Sequence, residues 1–399
     1  MNILAVNAGS SSLKFAVHPV LLGVARPAAL VGSIEGMESD EPARLTARIG
    51  ERFHHEVLEG GATDPFEQAI ATLQGLLRRE SAGNAMQAVQ AVAHRVVHGG
   101  DLFREAVLVT EPVLQQLASL SALAPLHQPH NILGLRAFGQ AFAHVPQVAC
   151  FDTAFHVDMP EVEYRFALPQ AMARQGIRRY GFHGLSYQYV ARTLGSRSDR
   201  AQARVVMAHL GNGASLCAML DGKSQATTMG FSALDGLMMG TRSGSLDAGV
   251  LLHLQAQGWD HAQLQDLLYR QSGLLGVSGL SADMRRLRDS DQPQARLAID
   301  MFTYRVTREC GAMVACIGGL DLLAFTGGIG EHDPVLRAAV CGRLAFLGVR
   351  LDPDRNVHAT GDQAARLDAP DSSVEVWVVP TDEGRVAAQM AATLLGVAA

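Results

Sequence analysis

The sequence predicts a two-lobed α/β protein on three observations. Strand-like apolar runs alternate with helix-spaced apolar patterns, and polar residues gather where the strand-like runs end. A strand–turn–strand unit near the N-terminus reappears about half the chain later. The length of 399 residues suits two domains at ~100–200 residues each. A hydrophobic share of 48% supplies core material and argues against disorder. Charged residues make up 18%, below the ~25% of average soluble domains, and the net charge is −6. With no basic excess, nucleic acid is not expected as a partner.

Residues 2–7 (NILAVN) and 13–17 (LKFAV) read as short strands joined by Ala8-Gly9-Ser10-Ser11-Ser12, a hairpin with a small-residue turn. Residues 91–97 (AVAHRVV) and 147–151 (QVACF) read as buried strands leading directly into polar residues. A second hairpin, 204–210 with 215–220, turns at Gly211-Asn212-Gly213; placing Gly9 on Gly213 superposes strand, small polar turn and strand. From Ala298 onward Phe302, Val306, Cys310, Met313 and Ile317 recur at helical spacing. A strand over 320–325, interrupted only by Asp321, and a loop over 326–331 (TGGIGE) follow. Residues 374–379 form a last strand closed by Pro380, and Thr381-Asp382-Glu383 starts a helix carrying Val386, Met390 and Leu394 on one face. In open α/β sheets ligands sit at the carboxyl ends of strands, so the polar residues there are the candidates for chemistry.

The opening MNILAVNAGS has neither a cationic n-region nor a long apolar h-region, so no secretory signal is expected. No apolar run reaches ~18 residues, and no membrane span is expected. Five cysteines, odd in number and without C-x-x-C spacing, point away from disulfides and zinc and toward a reducing cytoplasm.

Asn7-Ala-Gly-Ser-Ser-Ser-Leu-Lys14 combines small residues, hydroxyls and one of only two lysines, Lys14 and Lys223. It reads either as a polyphosphate-facing hairpin or as a plain turn, and it is not a Walker A loop. His209-Leu210-Gly211-Asn212-Gly213 and Gly327-Gly328-Ile329-Gly330-Glu331 are further glycine-rich segments after apolar strands, the second opening a helix where backbone donors favour phosphate. Arg95 at a strand end and Arg242 between Gly240 and Gly244 are guanidinium forks suited to carboxylate or phosphoryl oxygens; in a chain of 31 arginines the alternative for each is plain solvation. Asp152 can bind metal, orient a reacting group or cap a helix, and Glu383 can stabilise a first helical turn or ligate metal. His183 lies between Phe182 and Gly184. Oxygen ligands beside a nucleotide suit Mg2+.

Taken in order, N-A-G-S-S-S-L-K, H-R-V-V-H-G-G, A-P-L-H, F-D-T-A-F-H, R-R-Y-G-F-H-G, H-L-G-N-G, G-L-M-M-G-T-R-S-G, S-A-D-M-R, F-T-G-G-I-G-E and T-D-E resemble the acetate kinase family from end to end of the chain. The resemblance implies the acetate and sugar kinase/Hsc70/actin (ribonuclease H-like) fold with a duplicated core. It implies a first lobe of 1–150 plus 384–399, a second of 151–383, and a nucleotide-binding catalytic cleft between them. It further implies reversible phosphoryl transfer from ATP to acetate, giving acetyl phosphate and ADP, in a homodimer. By motif, Asp152 is the catalytic carboxylate, Arg95 and Arg242 hold substrate carboxylate and phosphoryl group, and His183 stabilises the transition state. Asn7 and Glu383 hold Mg2+ (or Mn2+). Lys14, His209, Leu210, Gly211, Asn212, Gly213, Asp283, Met284, Arg285, Gly328, Ile329, Gly330, Glu331 and His332 bind ATP, and Val97, Leu126 and Phe182 line the methyl pocket.

The chain departs from the family pattern at Ser245 (commonly Asp), Tyr187 (commonly His), Gly384 (commonly a second Glu), Ala233 (commonly Pro) and Leu126-His-Gln-Pro129 (commonly L-H-N-P). Ala233 bears on acyl-chain length, leaving a propionate or butyrate kinase of the same fold as the near alternative. An actin-like nucleotide-binding protein without turnover is the distant one, because it has no use for Arg95, Asp152, His183 and Arg242 together. A dehydrogenase is excluded because G-x-G-x-x-G does not follow the first strand.

Overall fold

The computed structural model describes residues 1–9, 11–37, 42–58, 65–82, 88–125 and 127–397. Ser10 of the first turn and Leu126 of the expected methyl pocket lie outside the described residues. The chain divides into two compact units, Met1–Ala154 with Asp382–Ala399, and Phe155–Thr381.

The first unit is built on a nine-stranded sheet: β1 (Asn2–Ala8), β2 (Ser12–Leu21), β3 (Val24–Ala25), β4 (Leu30–Glu35), β5 (Arg44–Ile49), β6 (Arg52–Val57), β7 (Val89–Val96), β8 (Val107–Leu108) and β9 (Gln147–Phe151). The order is β6-β5-β4-β2-β1-β7-β9-β8, with β3 beside β2. β2 runs antiparallel to β1, whereas β7 runs parallel to β1 and β9 parallel to β7. Because side chains alternate between faces, β1 presents two different surfaces. Leu4 and Val6 join a core with Phe15, Ile70 and Leu73 of α1 (Pro65–Ala82), and Phe138 of α3 (Gln128–Ala141); α2 (Glu111–Ser119) lies between them in sequence.

The other face, with Ala5, Ala16 and His18, meets the C-terminal helix Glu383–Leu394. A Cβ on Gly384 would fall 3.4 Å from the Ala5 methyl and 3.7 Å from that of Ala16. This close approach corrects the expected helix face. Val386 is buried, but Ala387, Ala388, Ala391 and Ala392 complete the buried side, while Leu394 is 42% exposed. Alanine admits the sheet more closely than a Met390–Leu394 stripe would.

The second unit carries β10 (Val205–Leu210), β11 (Ala214–Leu220), β12 (Lys223–Thr227), β13 (Leu322–Thr326), β14 (Ala365–Arg366) and β15 (Glu375–Val378), in the order β12-β11-β10-β13-β15-β14. Its helices are α4 (Glu161–Tyr164), α5 (Gln170–Ala173), α6 (Gly184–Gly195), α7 (Ala248–Ala256), α8 (His261–Arg270), α9 (Gly273–Ser278), α10 (Met284–Arg288), α11 (Pro293–Cys316), α12 (Gly327–His332), α13 (Pro334–Arg343) and α14 (Pro353–His358). β12-β11-β10 is an antiparallel run continued by parallel β13 and β15, which repeats the β4-β2-β1-β7-β9 pattern of the first unit. The duplicated hairpins are therefore the matching corners of two similar sheets.

Phe302, Val306, Cys310, Met313 and Ile317 are all buried, as their spacing predicts. β13 begins at Leu322 rather than 320 because Asp321 is a cap: its carboxylate accepts from the Arg204 N–H at 3.0 Å and the Arg204 guanidinium at 2.7 Å. Residues 326–331, expected as a loop, wind at once into α12. Glu331 drives that turn by accepting the Gly327 N–H at 2.8 Å. Among the described residues no helix is long and apolar enough to cross a membrane.

Buried neutral histidines in both units make stability pH-dependent. In the first, His94 donates from Nε2 to Gln147 Oε1 at 2.7 Å. In the second, His156 donates from Nε2 to the Phe182 carbonyl at 2.9 Å and accepts from the Ser224 hydroxyl at 2.8 Å. Burial pulls each pKa from 6.5 down to about 4. The unfolded chain binds the extra protons first, so stability is full above the ordinary pKa and falls as pH drops toward the folded value. Each histidine costs up to ~1.4 kcal/mol per pH unit in that window. Urea midpoints measured at steps from about pH 7 to 4.5 should fall steadily, less so in His94→Asn; a flat midpoint would contradict this.

Candidate active site

In the first unit, cross-strand pairing assembles the site before any side chain bends. Asn7 pairs with Lys14 on β2. Extending the β1–β7 register beyond Val6 and His94 sets Asn7 beside Arg95, and Arg95 pairs with Cys150 on β9. Paired residues share a face, so Lys14, Asn7, Arg95 and Cys150 form one row near the strand ends. Cys150 marks that face as the one under the C-terminal helix, its Sγ lying 3.7 Å from the Ala387 carbonyl.

Just past β9, Asp152 turns both oxygens to Arg95. The guanidinium Nε lies 3.1 Å from each oxygen and Nη2 is 2.6 Å from Oδ2. Asp152 is only 1% exposed, and both of its oxygens lie on the guanidinium. Glu383, in the first turn of the C-terminal helix, places Oε2 3.6 Å from Arg95 Nε. Burial opposes the charge on Arg95, but Asp152 and then Glu383 outweigh it and hold the pKa above its ordinary value.

Asn131 of α3, which the sequence reading passed over, braces these strand ends. Its amide accepts from the Val97 N–H at 2.9 Å and donates to the Ala8 carbonyl at 3.2 Å, joining the exits of β7 and β1. Val97, expected in the methyl pocket, is half-buried here. Among the described residues no three His, Cys, Asp or Glu side chains gather as a metal cage. Mg2+ asks for less, one or two carboxylates completed by phosphate oxygens and water. The Asn7 amide and the Glu383 carboxylate are oxygen donors of the kind that demand calls for.

The second unit holds the remaining candidates. His183 precedes α6 with φ +59°, a left-handed conformation that is uncommon outside glycine and gathers at functional sites. Gly181 makes the approach possible: with φ +79°, a Cβ there would lie 2.7 Å from the His156 ring and from Thr227. Phe182 is buried beside it. The His183 and His209 rings stack with centroids 4.1 Å apart, and His209 Nδ1 lies 2.8 Å from the Ser186 hydroxyl.

Gly213 is the junction. A Cβ there would sit 3.3 Å from His183 Nε2 and 3.7 Å from Arg242 Nη1, so histidine, guanidinium and glycine turn converge. Arg242 is anchored by donating from Nη1 to the Ala233 carbonyl at 2.8 Å. The glycine-rich segments also meet each other. A Cβ on Gly327 would fall within 2.8–2.9 Å of the Leu210 backbone, and one on Gly211 would lie 3.8 Å from the Gly328 nitrogen. Asn212 lies against Gly240, whose N–H donates to the Asn212 carbonyl at 3.0 Å.

Asp283 caps α10, accepting from the Arg285 N–H at 2.8 Å; Met284 is buried and the Arg285 side chain is 88% exposed. The Arg285 side chain, then its backbone, holds the Asp283 carboxyl at about 2. Glu331 Oε1 also accepts from the Thr326 hydroxyl at 3.2 Å and the Thr381 N–H at 3.0 Å. His332 sits beside the Thr360 carbonyl, 2.6 Å from Nδ1. Arg337, fully buried, holds the Gly330 and Glu331 carbonyls at 2.9 and 2.7 Å, and nothing in the sequence separates it from thirty other arginines. Ser215 carried no functional signal; Tyr187, noted only as a departure from the family pattern, stands four residues after His183, on the same side of a helix.

The profile of the acetokinase family matches residues 2–389. The chain is 49% identical over 385 residues to an acetate kinase of Rhodopseudomonas palustris, covering 96% of this chain and 95% of that one. Among solved structures it is similar to a propionate kinase from Francisella tularensis, with a TM-score of 0.89, 34% identity and 98% coverage of each chain. An acetate kinase from Porphyromonas gingivalis gives a TM-score of 0.87 at 35% identity, covering 99% of each. These likenesses span both sheets and every segment that carries a candidate side chain, and the protein is accordingly a member of the acetokinase family.

Proposed function

We propose that the protein transfers a phosphoryl group reversibly between ATP and acetate, giving acetyl phosphate and ADP. The observation that carries this reading is a pair of anchored guanidinium groups, Arg95 against Asp152 and Glu383, and Arg242 beside His183 and Gly213. Phosphoryl transfer asks mainly for in-line positioning and charge neutralisation. An acetate oxygen attacks the γ-phosphorus, the bond to the β–γ bridging oxygen breaks, and ADP leaves with that electron pair. Acetate is ionised near pH 7, so no base is needed. Asp152 accordingly aims Arg95 at the substrate carboxylate instead of removing a proton. Arg242 and His183 stabilise the equatorial oxygens. Asn7 and Glu383 would hold Mg2+, or Mn2+ through the same oxygen donors, which would supply neutralisation of the phosphate charge.

Lys14, His209–Gly213, Asp283–Arg285 and Gly328–His332 take the nucleotide, through backbone donors in the case of Glu331. Val97, Leu126 and Phe182 take the acetate methyl. The protein acts as a homodimer in the cytoplasm. α7 supports the dimer, for it buries no residue of its own and leaves Leu252 68% exposed, an apolar surface suited to a second copy. Five unpaired cysteines suit a reducing compartment.

The test is an assay of the full chain with MgATP and short carboxylates, trapping acyl phosphate with hydroxylamine. kcat/KM should be highest with acetate and change by ~10–200-fold per added methylene. A preference for propionate or butyrate would move the substrate within the family, a result that Ala233 makes worth measuring. No acyl phosphate from any acid would overturn the reading.

A further inference from the structure

We infer that Tyr187 and Ser215 fix the tautomer of His183, keeping its proton on Nε2, the nitrogen turned toward Gly213 and Arg242. Only the catalytic consequence of that tautomer rests on the role proposed for His183 in phosphoryl transfer. The network is short and closed to solvent. Tyr187 and Ser215 are both 0% exposed. The Tyr187 hydroxyl lies 2.5 Å from Ser215 Oγ, which in turn lies 2.8 Å from His183 Nδ1. The parts are rigidly mounted. Tyr187 stands one helical turn after His183 and packs with Val190, Met207 and Cys217. Ser215 pairs with His209 across β10 and β11.

Proton counting gives the direction. Ser215 Oγ, at 2.5 Å, is the side-chain oxygen the Tyr187 hydroxyl faces. The phenol proton is directed there. Burial pushes the Tyr187 pKa up, so the phenol stays a donor. With the phenol donating to its oxygen, the inferred chain continues in the same sense, Ser215 pointing its one proton at His183 Nδ1, 2.8 Å away. A neutral imidazole that accepts at Nδ1 carries its hydrogen on Nε2. The nitrogen near Gly213 and Arg242 is thus a donor, which attracts a phosphoryl oxygen, where the other tautomer would turn a lone pair against it. His209, stacked on the ring at 4.1 Å, restrains its plane. Tyr187 and Ser215 are positioning residues, and Tyr187 fills the place where the family commonly has a histidine.

The experiment is a long-range proton–nitrogen NMR spectrum of the full chain labelled with 15N at histidine, with His183 assigned by its loss in His183→Gln. The expected result is an unprotonated Nδ1 and a protonated Nε2. In Ser215→Ala the Nδ1–H tautomer should appear, and kcat should fall about 10–100-fold while KM for ATP changes less than about twofold. Tyr187→Phe should give a smaller shift in the same direction, and Ser215→Thr, which restores the hydroxyl, should recover both readouts. A His183 protonated on Nδ1 in the unaltered protein would overturn the inference. So would a Ser215→Ala variant that melts lower yet keeps the Nε2–H tautomer, since that is the mark of a purely structural residue. The spectra need no substrate, so they decide the tautomer whichever way the acyl phosphate assay turns out.

Discussion

Replacing Arg242 with alanine should lower kcat by about 10³-fold or more while leaving the fold intact, as removal of an arginine does in other phosphoryl-transfer sites. The side chain is only half-buried, and its anchors include one donation to the Ala233 carbonyl at 2.8 Å and a contact with Met239 Sδ at 3.5 Å. Little of the folding energy depends on it, so thermal melting should move by no more than a few degrees. In the proposed mechanism its value lies in a planar fork that converges with His183 Nε2 on Gly213, ready for charge that grows on the transferring group. Arg242→Lys should recover only part of the rate, because an ammonium cannot bind two oxygens in one plane. Steady-state ADP formation checks the rate, and near-normal turnover of Arg242→Ala would remove Arg242 from the mechanism.

Asp152→Asn should be costly in a different way. It neutralises a carboxylate that is 1% exposed and leaves the Arg95 guanidinium, among the described residues, with Glu383 at 3.6 Å as its remaining carboxylate partner. Removing one member of a buried ion pair costs ~3–5 kcal/mol, because the surviving charge stays desolvated. Denaturant unfolding should register that loss in the unit built from Met1–Ala154 and Asp382–Ala399, together with a fall in kcat. The double variant Arg95→Met with Asp152→Leu separates the two effects. Apolar replacement of both partners should restore much of the stability, yet turnover should stay low because the guanidinium is gone. Unchanged stability in Asp152→Asn would show that the pair is open to water. Recovered turnover in the double variant would show that the pair serves folding alone.

Some expectations needed only local chemistry. The helical spacing of Phe302 to Ile317 and the small-residue turns near Gly9 and Gly213 carry their structure in the nearest neighbours. Other readings failed where a distant partner decides. Leu394 has the right spacing for a buried face, but the sheet beneath the C-terminal helix offers alanines and leaves no room for a leucine stripe. Glu331 shows the same dependence on distance, for its Oε1 accepts from the N–H of Thr381, fifty residues further along, as well as from that of nearby Gly327.

By itself the sequence determined the class of the protein, its repeated strand–turn–strand corners and the candidate side chains proposed for phosphoryl transfer. Those depend on residue type and short-range periodicity, which are written in the order of the amino acids. Tertiary structure alone decided which groups meet. Sheet register puts Lys14, Asn7 and Arg95 in one row, Asn131 ties two strand exits together, and a buried phenol and hydroxyl reach His183. Such contacts join residues far apart in the chain, and their strength comes from burial and close approach, neither of which residue order encodes locally.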